Sequence, residues 1–163
     1  YSRRFCYNIS YNGGCVMKIG ISACLLGVNC KYNGGNNFSA KLEDLLEGHE
    51  VVPLCPEVMG GLSTPRVPAE LVEDEVMNRE GRSVDEAFRK GAEIALRRVL
   101  EEGVELVILQ SRSPSCGVKE VYDGSFTGKL IPGKGIVAAR LDEAGIPAMD
   151  VEDVDEFTLK GER

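Results

Sequence analysis

Four cysteines in the body of the chain stand beside bends or at the ends of apolar segments, where their thiols could do chemistry. They are Cys24, Cys30, Cys55 and Cys116. Cysteines that serve only as packing residues usually lie inside helices and strands as small apolar residues. Thiols gathered at strand ends are suited instead to bind a soft metal or to act as reactive thiolates.

The spacing of these cysteines leaves three interpretations open. The only close pair, Cys24 and Cys30, is separated by five residues, which differs from the short-range pairs of common zinc sites. Ligands dispersed over separate loops suit an iron–sulfur cluster, which is large enough to bridge them. A zinc site, or the simple burial of one or two of the thiols, is the alternative.

Polar groups that could assist such a site lie close to two of the cysteines. Glu57 follows Cys55 by two residues, and a carboxylate beside a metal site can act as a general acid or base. It could equally be a surface residue, since the chain has 26 acidic residues. Hydroxyls flank the fourth cysteine, at Ser111, Ser113 and Ser115. They could orient a water or a substrate, or only shape a turn.

Strand patterns alternate with helix patterns along the chain. Strands are predicted over 18–23, 50–54, 105–110 and 146–151, helices over 39–48, 83–102 and 134–144, and a small hairpin or edge strand over 70–82. Ser83 and Glu86 predict a capping box for the second helix, and Leu100 is expected among its inward residues. The alternation predicts an α/β fold, a single-domain Rossmann-like three-layer sandwich with a mostly parallel sheet.

This fold would bring distant cysteines together. Cys24, Cys55 and Cys116 each lie in a loop that follows a predicted strand. Because parallel strands end at the same edge of a sheet, these loops should meet where such sheets bind ligands.

Length and composition narrow the class of protein. The chain has 163 residues, 43% of them hydrophobic, and a net charge of −7. One compact domain fits this length, and the acidic balance argues against a broad nucleic-acid surface. No apolar segment is long enough to span a membrane or to form a signal peptide, so a cytoplasmic location is expected. Residues 1–16 are polar and aperiodic and are interpreted as an upstream extension whose two cysteines are bystanders; 17–163 would form the domain.

Three motifs carry a resemblance to a known family. They are Ile21-Ser22-Ala23-Cys24-Leu25-Leu26-Gly27 with Cys30-Lys31-Tyr32-Asn33-Gly34, then Pro53-Leu54-Cys55-Pro56-Glu57, then Gln110-Ser111-Arg112-Ser113-Pro114-Ser115-Cys116-Gly117. In this order the motifs resemble the thiouracil desulfurase family, long catalogued only as a bacterial domain of unknown function. The resemblance covers about residues 17–157.

The resemblance implies an enzyme with a [4Fe-4S] cluster. Three cysteines would hold the cluster and leave one iron open for the sulfur of a thiolated uracil, which is exchanged for water without net redox change. Carried onto this chain, the ligands are Cys24, Cys55 and Cys116, with Cys30 as the alternative to Cys24.

The resemblance also assigns the proton chemistry and the substrate. Glu57 would be the acid/base and Ser113 the positioning hydroxyl, with Ser115 as its alternative. The acidic composition and the lack of room for an RNA-binding domain favour a small thiolated nucleobase or nucleoside, no membrane partner, and a monomer or homodimer. Two other classes compete: a non-catalytic zinc- or iron–sulfur-binding regulatory module, and a thiol redox protein that uses Cys24 and Cys30.

Overall fold

The computed structural model describes residues 15–160. In chain order, its strands are β1 (Lys18–Ser22), β2 (Glu50–Leu54), β3 (Ala69–Val72), β4 (Glu75–Asn78), β5 (Leu106–Leu109), β6 (Glu120–Tyr122), β7 (Leu130–Pro132) and β8 (Ala148–Asp150). Its α-helices are α1 (Ala40–Leu46), α2 (Pro56–Met59), α3 (Asp85–Glu101), α4 (Ile136–Glu143) and α5 (Glu156–Lys160). The central sheet has the order β2-β1-β5-β8, and all its strands are parallel.

Helices cover both faces of this sheet. On one face, Ile19 and Ile21 of β1 pack in a buried cluster with Leu42 of α1 and Leu159 of α5. On the other face, α3 and α4 cover a second cluster, to which β2 and β5 contribute Val52, Leu54, Val107 and Leu109. Because strand side chains alternate between faces, one sheet feeds both clusters. The predicted three-layer α/β sandwich with a mostly parallel sheet is confirmed.

The apolar segment that the sequence marks most clearly becomes the most deeply buried strand. All four residues of β5 are fully buried between β1 and β8. A strand covered on both faces needs an unbroken apolar sequence. The small hairpin is also confirmed, as the antiparallel pair β3 and β4. A second antiparallel pair, β6 and β7, lies between β5 and α4, where no strand is predicted.

Two details of the prediction for α3 are wrong. Asp85 opens the helix, and its carboxylate accepts a hydrogen bond from the Val76 N–H at 3.0 Å, while Glu86 is exposed and Ser83 makes only a 3.5 Å contact with the Asp85 N–H. The capping box does not form because the start of the helix is fastened to β4. Leu100 is 57% exposed, since the buried stripe of the helix passes through other residues. They are Phe88, Gly91, Ala92, Ala95, Leu96 and Val99.

The predicted N-terminal extension falls almost entirely outside the described residues, so its boundary at residue 17 stays a prediction. Cys15 is disulfide-bonded and packs partly buried against the cluster of Ile19 and Ile21. Within residues 15–160, no helix combines the length and the apolar character that crossing a membrane requires.

Candidate active site

Three adjacent parallel strands deliver cysteines to one edge of the sheet. The strand β1 runs into a short 3-10 turn that contains Cys24. Cys55 directly follows β2 and precedes α2, and the loop after β5 carries Cys116. All three line one cavity of about 820 Å³ together with Cys30. From β1 the chain continues to β2, which pairs with one edge of β1, and it later forms β5, which pairs with the opposite edge of β1. Ligands of open α/β sheets bind at such a reversal of strand order.

Burial disfavours the thiolate form of three thiols at this edge, those of Cys24, Cys30 and Cys116. Burial raises the pKa of Cys116 to about 12, although the Ser22 and Ser115 hydroxyls partly oppose the change. Burial and the neighbouring Cys55 raise the pKa of Cys30 to about 12 and also raise that of Cys24. Thiolates are the form that binds metals, so occupation of the site must release protons.

The thiols at this edge interact with one another. A charge on Cys55 raises the pKa of Cys24, and a charge on Cys24 raises that of Cys116, so these thiols influence one another across the cavity. Cys30 interacts with Cys55 and Cys24, and its carbonyl oxygen accepts a 3.9 Å hydrogen bond from the Cys55 thiol. Cys30 is therefore in contact with Cys55 through its backbone.

The donor set suits a cofactor larger than one ion. Among residues 15–160, no three histidine, cysteine, aspartate or glutamate side chains are placed to hold a single metal ion. The four free thiols instead surround a shared cavity. Tetrahedral zinc needs its ligands around one point, whereas a cluster presents several iron atoms to separate thiolates. The residues fit an iron–sulfur cluster.

Glu57 lies beside this thiol set, in the first turn of α2. Its Oε1 accepts a hydrogen bond from the Ser115 hydroxyl at 3.0 Å, and its Oε2 is paired with the Arg66 guanidinium. The Glu57 and Arg66 side chains are only 15% and 9% exposed, respectively. Charge-assisted hydrogen bonds from two sides hold this carboxylate in one orientation.

The three serines of the Cys116 loop have different partners. Ser115 contacts Glu57 directly, whereas the Ser113 hydroxyl lies 2.9 Å from the Ser115 hydroxyl and accepts the Ser115 and Cys116 N–H groups at 3.1 and 3.2 Å. Because Ser115 donates to Glu57, the Ser113 hydroxyl donates to Ser115 and forms the start of a chain of hydrogen bonds. Ser111 donates instead to the buried Asp150 at 2.6 Å, which ties the end of β5 to β8.

Arg66 is a site residue that the sequence does not reveal. Besides Glu57, its guanidinium bonds the Cys30 carbonyl at 2.8 Å, and its backbone N–H donates to the Tyr32 carbonyl at 2.7 Å. One side chain therefore joins the carboxylate to the loop that carries Cys30. It stands in a proline-containing loop as one of 19 basic residues, and no local motif marks it.

A close helix contact positions α2, which carries Cys55 and Glu57 at its start. A Cβ on Gly91 of α3 would lie 2.7 Å from the Pro56 carbonyl carbon, and one on Gly60 would lie 2.9 Å from the Ala87 carbonyl carbon. Real Cβ atoms essentially never approach other atoms within 3.0 Å. The two glycines let the backbones of α2 and α3 touch.

Comparisons with known proteins agree with this geometry. The 2-thiouracil desulfurase family model matches residues 19–153. The uncharacterized protein YbbK of Bacillus subtilis (strain 168) is 40% identical over 135 residues, 77% of this chain and 89% of YbbK. The solved structure of the [4Fe-4S]-dependent thiouracil desulfidase TudS is 38% identical and superposes with a TM-score of 0.82, over 88% of this chain and 96% of TudS. This chain therefore belongs to the 2-thiouracil desulfurase family.

Proposed function

We propose that this protein is a [4Fe-4S]-dependent enzyme that removes the sulfur of a thiolated uracil. The reaction exchanges the C=S sulfur for the oxygen of water and gives uracil and hydrogen sulfide, so that no electrons are gained or lost. The observation that carries the proposal is the meeting of four free thiols with a fixed carboxylate at one cavity. The family membership and the likeness to TudS support it.

Cys24, Cys55 and Cys116 are the cysteines that we assign to hold the cluster, because each follows a different one of the adjacent strands β1, β2 and β5, and Cys24 lies nearer to the end of β1 than Cys30 does. When bound, the cluster supplies an open, soft, Lewis-acidic iron that favours sulfur over oxygen. Cys30 flanks this set as a fourth thiol.

Glu57 is the residue that we assign to move protons. Its carboxylate takes a proton from the water that attacks the sulfur-bearing ring carbon and returns one to the departing sulfur. Ser115 and Arg66 hold its two oxygens and leave lone pairs free for that water. Ser113 supports Ser115 through the 2.9 Å contact between their hydroxyls.

The substrate that we infer is a small thiolated base or nucleoside. A cavity of about 820 Å³ accommodates a molecule of this size beside the thiols, and the net charge of −7 disfavours a long polyanion. We further infer a monomer or homodimer in the cytoplasm, where a reducing environment keeps such thiols unoxidised.

The proposal is tested by anaerobic purification followed by assay of 2-thiouracil. We expect a brown protein with about four irons per chain and acid-labile sulfide, and uracil and sulfide formed in equal amounts. Glu57→Gln should retain the iron and lose about a hundredfold or more in turnover, while exposed Glu43→Gln of α1 should behave as wild type. Stoichiometric zinc in a colourless protein, or full turnover by the Glu57 variant, would contradict the proposal.

The ligand assignment has its own test. Cys24→Ala, Cys55→Ala and Cys116→Ala should each fail to take up a stable cluster, whereas Cys30→Ala should keep it. The measurement is iron per chain with the electronic spectrum of the cluster. If Cys30→Ala loses iron and Cys24→Ala keeps it, the roles of these two cysteines are exchanged.

A further inference from the structure

The cavity that contains the thiols has a second carboxylate in its wall. Glu70 of β3 is only 7% exposed and lines this cavity. Within the described part of the chain, its carboxylate accepts one hydrogen bond, which the Phe126 N–H donates to Oε2 at 3.0 Å. Since every fully buried side-chain nitrogen or oxygen there has a partner, Oε1 is not fully buried. Glu70 is among the residues that line the cavity, so a ligand bound there lies near its side chain.

The single hydrogen bond replaces only part of the hydration that the Glu70 carboxylate loses on burial. Burial raises the pKa of Glu70, and Asp123 adds to the effect, while the Phe126 N–H and the charge of Arg79 oppose it. A carboxylate removed from water needs donors to replace its hydration. A ligand with an N–H or O–H group would supply the missing donor.

The loop that carries Phe126 is built to keep Glu70 in place. The Asp123 carboxylate accepts the Ser125 N–H at 2.9 Å, and the Arg79 guanidinium lies 5.9 Å from the centre of the Phe126 ring. Gly124 has a φ of +90°, and a Cβ there would lie 2.6 Å from the Leu71 carbonyl oxygen of β3. The loop therefore packs closely against β3, and its Phe126 N–H holds Oε2 of Glu70, while Oε1 makes no hydrogen bond within the described residues.

We propose that Glu70 is a specificity-determining residue that accepts a hydrogen bond from an N–H or O–H group of the substrate. This inference rests on the proposed function. A thiolated uracil offers ring N–H donors, and its nucleoside adds ribose hydroxyls; a carboxylate accepts from both kinds of group. Glu57 moves protons at the reacting carbon, whereas Glu70 favours molecules that present a hydrogen-bond donor to it.

The test measures binding of the non-reacting products uracil and uridine by calorimetry, in cluster-loaded enzyme under anaerobic conditions. Glu70→Gln is the informative variant because its amide oxygen can still accept the Phe126 N–H while its NH₂ opposes an incoming donor. The matched control is Glu75→Gln, an exposed glutamate on the paired strand β4. Iron content and thermal unfolding establish that both variants are intact.

We expect Glu70→Gln to weaken binding by about tenfold or more, and the control by less than about twofold. A loss seen with uracil assigns the ring N–H as the donor, whereas a loss seen with uridine alone assigns a ribose hydroxyl. Equal affinities in the two variants would overturn the inference.

Binding of truncated ligands to the wild-type enzyme is an independent test, because it does not depend on whether a variant folds. N-methylated uracils remove ring donors, and 2′,3′-dideoxyuridine and 5′-deoxyuridine together remove the ribose hydroxyls. If none of these ligands binds more weakly than its parent, no donor is recognised and the inference fails. If the wild-type enzyme neither binds uracil nor desulfurates thiouracil, the proposed function itself is wrong. If the wild-type enzyme turns over thiouracil normally and Glu70→Gln binds uracil and uridine as tightly as wild type, only the inference about Glu70 is wrong.

Discussion

Gly91→Ala should separate the two helices that position the catalytic edge. Alanine is favoured over glycine inside a helix by about 1 kcal/mol, so α3 by itself would gain stability. The added Cβ, however, would lie 2.7 Å from the Pro56 carbonyl carbon and closer still to its oxygen. Carbon atoms in good contact are about 3.5–4.0 Å apart, so α2 must move by roughly 1 Å.

The collision should outweigh the gain in helix propensity. Overpacking against rigid backbone costs about 3 kcal/mol, which leaves a net destabilisation of about 2 kcal/mol after the gain of about 1 kcal/mol. For a chain of this size, such a change lowers the unfolding midpoint Tm by about 4–8 °C. Because α2 begins at Cys55 and carries Glu57, we also expect the variant to bind less iron than wild type.

Differential scanning calorimetry and iron analysis measure these effects. Lys90→Ala is the control, since Lys90 is exposed at the preceding position of α3 and its substitution adds no contact. A Tm that rises in Gly91→Ala, as helix propensity alone requires, would refute the close packing of α2 and α3. A lower Tm with full iron content would refute the link between this packing and the site.

Three further predictions follow from single contacts. Arg66→Lys keeps the positive charge but loses the planar guanidinium, whose Nη2 bonds Glu57 and the Cys30 carbonyl while Nη1 bonds the Ser63 carbonyl, so turnover should fall by about tenfold with iron unchanged; equal kinetics would show that charge alone suffices. Ser115→Ala removes the 3.0 Å hydrogen bond to Glu57 and should lower kcat by about tenfold, as steady-state assays would measure. Burial lowers the pKa of His49, whose Nδ1 accepts the backbone N–H of residue 17. As pH falls below 6.5, the unfolded chain takes up a proton before the folded one, so the urea midpoint should decrease, and it should decrease less in His49→Gln.

The architecture was largely predictable because it depends on local periodicity. The unbroken apolar segment at Leu106–Leu109 predicts a strand buried on both faces, and the structure confirms it. The helix predicted from residue 39 begins there, since the Ser39 hydroxyl caps α1 by accepting the Leu42 N–H at 3.2 Å. The errors lie where a tertiary contact replaces a local one. Asp85 turns to the backbone of β4, so the capping box of Ser83 and Glu86 does not form.

The sequence alone determined the α/β order and the positions of the thiols after strands, together with the motifs of the family. Only the tertiary structure decided which side chains meet. Ser115 and Glu57 are 58 residues apart, and Arg66 reaches a carbonyl 36 residues away. One carboxylate oxygen of Glu70 is held by the backbone N–H of Phe126, 56 residues further on. The physical reason is that periodicity sets the backbone of each element, whereas contacts between elements depend on strand order and on how closely helices such as α2 and α3 can pack.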